Sequence, residues 1–113
     1  FECHYCMAAH SFLADRVSEA PTEVVDAIGG DDPVPDAHLA ALAEFTKTML
    51  TTQGHPSEDD VAAFTAAGYT DRQVLELILA IAMKTISNWS NHVFDTPVDD
   101  MFSGRVWSPP EPV

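Results

Sequence analysis

A chain of 113 residues is one domain at most, and with 46% hydrophobic residues it can build a modest core. Its formal charge of −13, from 18 acidic and 5 basic residues, argues against nucleic acid and anionic lipid as partners, since both need Lys and Arg to displace counterions. No apolar run approaches the ~20 residues of a membrane helix, so membrane insertion is not expected.

The chain opens Phe1-Glu2 rather than Met and reaches its most informative segment at once. This reads as a domain lacking its N-terminal part, with no secretory signal visible. Cys3, Cys6, Met7, His10, Leu13, Ala14 and Val17 recur at three- and four-residue steps, which predicts a helix over about residues 2–19. After Pro21, residues 22–28 form a short helix closed by Gly29-Gly30. Asp36 caps the next one, about 37–53, with Leu39, Leu42, Phe45, Met49 and Leu50 inward. Ser57, followed by Glu58-Asp59-Asp60, starts a helix that runs to about Ala67 and stops at Gly68.

Thr70 caps the last long helix, Asp71 to about Asn91. Val74, Leu75, Leu77, Ile78, Leu79, Ile81, Ala82 and Ile86 make it apolar nearly all round, so it is expected to be the central, most buried element. An apolar helix this wide also exceeds what 113 residues can cover, which predicts an oligomer. Beyond Asp95-Thr96-Pro97 the chain carries Val98, Met101, Phe102 and Trp107 as anchors. The reading is an all-α domain over residues 1–94 with five helical segments, followed by an extended C-terminal tail over 95–113.

The chemistry is concentrated in Glu2-Cys3-His4-Tyr5-Cys6-Met7-Ala8-Ala9-His10-Ser11. On a helix Cys3 and Cys6 lie ~60° apart, and Cys6 and His10 ~40° apart, so the three side chains share one face. Cysteines three apart at a helix start can close a disulfide with little backbone change. There the dipole and free N–H groups stabilise a thiolate, and His10 can hold or relay its proton. Two cysteines in an otherwise cysteine-free chain are a redox pair or half a metal site rather than a secreted disulfide framework, which points to the reducing cytoplasm.

Cys3-His4-Tyr5-Cys6 with Met7-Ala8-Ala9-His10-Ser11 resembles the C-x-x-C-x-x-x-H-S signature of the carboxymuconolactone decarboxylase/alkylhydroperoxidase D superfamily. Gly68-Tyr69-Thr70-Asp71, the long apolar helix, Asn88, and Asn91-His92 through Thr96-Pro97-Val98-Asp99 resemble the C-terminal half of its alkylhydroperoxidase-like members. The resemblance spans essentially the whole chain. It implies an alkylhydroperoxidase D-like (AhpD-like) helical bundle, completed by oligomerisation as a homotrimer or homohexamer or by upstream residues. It further implies a peroxidase in which Cys6 attacks the peroxide, Cys3 resolves the sulfenic acid and His10 belongs to the proton relay. The substrate would be a hydroperoxide, the partner a lipoamide-like dithiol reductant or a peroxiredoxin, and no cofactor or metal would be resident. Two positions depart from the family pattern: the relay glutamate falls before this chain begins, and Tyr5 stands where a histidine precedes the second cysteine.

Two rival readings stand beside it. Cys3, Cys6 and His10 could ligate a metal, with a fourth ligand from His4, His92 or a neighbouring subunit, although a second paired motif is absent. A non-redox relative of carboxymuconolactone decarboxylase is the other, against which the intact cysteine pair argues. Asn88, Asn91 and His92 either cap the central helix or approach the thiols. His4 reads as a surface residue, Tyr5 as a packing residue, Trp89 and Trp107 as packing anchors, and Glu58-Asp59-Asp60 as a helix start rather than a metal cluster.

Overall fold

The computed structural model describes residues 2–110; residue 1 and residues 111–113, the outer ends of the two expected segments, lie outside it. Among the described residues there is no strand. Five α-helices follow one another: α1 (His4–Arg16), α2 (Thr22–Gly30), α3 (Ala37–Thr51), α4 (Glu58–Ala66) and α5 (Asp71–Val93). Among the described residues no helix is long and apolar enough to cross a membrane.

The expected caps start α3, α4 and α5. Asp36 Oδ1 accepts from the Leu39 N–H at 2.8 Å. Ser57 and Asp60 form a reciprocal capping box, as do Thr70 and Gln73. Each box satisfies backbone donors that a helix start leaves free. Gly68 closes α4 at φ +105°, a backbone conformation that disfavours any residue with a Cβ.

These three helices enclose one packing centre. Phe45 of α3 stacks on Phe64 of α4 with centroids 4.3 Å apart, and Phe64 stacks in turn on Tyr69 at 4.3 Å. Met49 completes the buried group, while Val74, Leu77 and Ile81 bring the N-terminal half of α5 against it. The Tyr69 hydroxyl donates to the His38 carbonyl at 2.8 Å, so the ring is both buried and satisfied.

A second centre lies around α1, which packs on α2, on the far half of α5 and on the tail. Here the core is small: its buried residues include Ala8 and Ala9 of α1 and Val24 and Ala27 of α2. Cys6 of α1 reaches α5, where Asn91 and Ser87 meet its sulfur.

Four expectations need correction. First, α1 begins after Cys3, which is extended (φ −93°, ψ 108°) and serves as its N-cap, and it ends at Arg16 rather than near residue 19. Second, Gly29 and Gly30 lie inside α2, and Asp31 takes the left-handed cap position at φ 58°, a conformation short polar side chains tolerate. Third, α5 is not the most buried element: Asn88 is its one buried residue, and Leu75, Leu79, Met83 and Ile86 are exposed. The other four helices are too short and too few to wrap it. Fourth, the tail is not extended throughout, since Asp100–Arg105 form a 3-10 helix against α1.

That tail is tied down by specific contacts. Phe102 packs edge-on against Phe12 and Tyr5, with centroids 5.4 and 6.1 Å away. Trp107 Nε1 donates to the Gly29 carbonyl at 2.7 Å, and Arg105 pairs with Asp15 and Asp26. Phe102 and Trp107 therefore anchor as expected, whereas Met101 and Trp89 are exposed.

Candidate functional site

The first turn of α1 sets the geometry of the two thiols. Cys3 Sγ stands where a serine or aspartate oxygen commonly stands at an N-cap and accepts from the Cys6 N–H at 3.4 Å. Both cysteines are buried and neither is in a disulfide.

The opposite wall comes from α5. Its residues 84, 87, 88 and 91 follow the three- and four-residue spacing of one helix face. Asn91 Nδ2 donates to Cys6 Sγ at 3.2 Å, and the Ser87 hydroxyl lies 3.6 Å from the same sulfur. Lys84 Nζ is 2.7 Å from His10 Nε2. Asn88 is 3% exposed, and among the described residues its buried Oδ1 has no hydrogen-bond partner.

Between the walls is a cavity of about 270 Å³, lined by Glu2, Cys3, Cys6, Met7 and His10 from the α1 side, Thr46 and Leu50 from α3, and Ala80, Ile81, Lys84 and Asn88 from α5. Its surface is mainly apolar carbon with a few converging polar groups, the usual composition of a small-molecule site.

The surroundings give the two thiols opposite acidities. Burial pushes Cys6 up, but hydrogen bonds from Cys3, Ser87 and Asn91 and the charge of Lys84 outweigh it, so this thiol lies below its ordinary value. Cys3 lies above its ordinary value because burial and its interaction with Cys6 dominate. His10 is lowered by desolvation first and by the Lys84 charge second, which favours the neutral ring.

The residues expected to form the site, Cys3, Cys6 and His10, do line one cavity. His10 does not pair with a thiol as anticipated; among the described residues its recorded partner is Lys84. Asn91 reaches the Cys6 thiol from the end of α5 and Asn88 lines the cavity, while His92 is exposed. His4 faces the tail, where Nδ1 lies 2.9 Å from the Trp107 carbonyl. Tyr5 donates to Asp99 at 2.7 Å.

Lys84 and Ser87 were not singled out from the sequence. Lys84 nevertheless leaves a trace there: it is the one charged residue between Glu76 and His92. The metal reading lacks its ligand set, because among the described residues no three His, Cys, Asp or Glu side chains gather so that they could hold an ion. No protein-family model matches this chain, and no curated protein matches it.

Proposed function

We propose that this chain is a thiol-dependent oxidoreductase of the alkylhydroperoxidase D type, which reduces hydroperoxides with the Cys3/Cys6 pair. One observation carries the reading: a buried thiol, Cys6, receives hydrogen bonds at the edge of an organic-sized cavity, with a second thiol one turn before it. Donors aimed at sulfur stabilise the thiolate, and the thiolate is the nucleophile.

In the first step Cys6 Sγ attacks the outer oxygen of ROOH. The S–O bond forms as the O–O bond breaks, and the departing alkoxide takes a proton to leave as ROH. Cys3 then attacks the Cys6 sulfenic acid, giving the Cys3–Cys6 disulfide and water. The two electrons have come from the thiols, and an external dithiol returns them by exchange. Neutral His10 at the cavity suits proton transfer in these steps.

The cytoplasm is the setting in which such a pair stays reduced. The exposed apolar face of α5 supports assembly with further copies of the chain, as a trimer or hexamer.

The test is hydroperoxide consumption with a dithiol. Cys6→Ser is expected to abolish turnover. Cys3→Ser is expected to allow one attack and then stall as a sulfenic acid or mixed disulfide. Mass spectrometry of the unmodified protein after mild peroxide should find an intramolecular Cys3–Cys6 disulfide. Sustained turnover by Cys6→Ser, or only intermolecular disulfides, overturns the reading.

A further inference from the structure

Three of the five cationic side chains of this acidic chain pair with carboxylates. Lys47 pairs with Asp31 and Glu44, Arg72 with Glu76, and Arg105 with Asp15 and Asp26. Lys84 differs. Its recorded partner is an imidazole nitrogen, and it lines an apolar cavity that also holds both thiols. Lys84 is half-buried at this cavity, and among the described residues no carboxylate pairs with it.

The contact also fixes the chemistry of His10. An ammonium can only donate, so His10 Nε2 must be the acceptor and the ring proton must sit on Nδ1. The ring nitrogen facing Lys84 is therefore occupied, and the ring is neutral while that bond exists. The titratable groups around the cavity are Cys6 and His10 on α1, its N-cap Cys3, Glu2 just before that, and Lys84 on α5; among the described residues α3 contributes Thr46 and Leu50.

We propose that Lys84 is the positioning residue of the thiol site, holding His10 as the Nδ1-protonated tautomer and serving as the counter-charge of the Cys6 thiolate. The proposal rests on Cys6 being the reactive thiol, as in the reading above, but requires nothing about the oxidant. The same charge acts on all three groups of α1, favouring the thiolate of both cysteines and disfavouring the charged form of His10.

The direct test follows iodoacetamide alkylation of Cys6 against pH in a Cys3→Ser background. Lys84→Met removes the charge while keeping most of the side-chain volume. It is expected to move the profile to higher pH and slow alkylation at pH 7 by about tenfold. Lys84→Arg keeps the charge and should restore most of the rate. An unmoved profile in Lys84→Met, or an arginine variant as slow as the methionine one, overturns the proposal.

A second measurement needs no substitution. The ¹⁵N shifts of the His10 ring in the unmodified protein should report a proton on Nδ1, and a proton on Nε2 instead overturns the proposal. Alkylation and tautomer are read without peroxide. If both come out as expected while the protein consumes no hydroperoxide, Lys84 keeps its role and the peroxidase reading falls.

Discussion

Cys3 and Cys6 share burial, and burial alone would push both thiols up. What separates them is the supply of donors, because Asn91 and Ser87 of α5 reach Cys6 while Cys3 faces the first turn of α1. Cys6 is lowered overall and Cys3 raised, so alkylation of Cys6 should develop at lower pH than that of Cys3. Asn91→Leu removes the 3.2 Å donor, leaves desolvation in place and should shift the Cys6 profile to higher pH. Alkylation against pH, with mass spectrometry to assign the labelled cysteine, checks this; an unchanged profile would show that the contact contributes nothing to acidity. The cysteines and His10 were legible because the C-x-x-C and the histidine one turn on carry their spacing in the sequence. Lys84 and Ser87 were not, because their roles depend on which face of α5 meets α1. That choice is made by tertiary packing rather than by local pattern.

The N-caps of α3, α4 and α5 could be read directly, since Asp36, Ser57 and Thr70 satisfy backbone donors within their own first turns. The ends of α1 and α2 could not. Cys3 caps through sulfur, a role its thiol chemistry hides, and Asp31, rather than either preceding glycine, takes the left-handed position. The tail's 3-10 helix depends on Tyr5, Phe12 and Arg105 meeting partners far away in sequence, so periodicity carries no sign of it. The α3–α4 pair depends instead on one side chain: Phe64, 2% exposed, lies between Phe45 and Tyr69. Phe64→Ala should cost about 3–5 kcal/mol through lost burial and the cavity left between the rings. Urea unfolding checks it, and a loss below about 1 kcal/mol would mean that the stack can collapse onto the space.

A radius of gyration of 14.7 Å exceeds the about 13 Å of a compact chain of this length, and the excess has a visible counterpart on α5. Leu75, Leu79, Met83, Ile86, Trp89 and Val93 fall within an arc of about 120°, and each is more than 60% exposed. The sequence showed that this helix was too apolar for one chain to cover, but not that the uncovered side would be the face turned away from α1 and α3. On the oligomer reading, the stripe meets a second copy. Covering twelve such side chains, six from each partner, at roughly 1.5 kcal/mol apiece offers about 18 kcal/mol. That exceeds the about 4–15 kcal/mol that association costs, so self-association is expected. Light scattering of the unmodified protein should then give a multiple of the 12.3 kDa chain mass. Leu79→Glu with Ile86→Glu places two like charges in the stripe of a chain already at −13, and both should repel their copies in a partner. The double variant should return the monomer mass with its helical circular dichroism intact, because neither side chain packs into the chain's own core. A monomeric mass for the unmodified protein, or an assembly indifferent to both glutamates, removes this face as the interface.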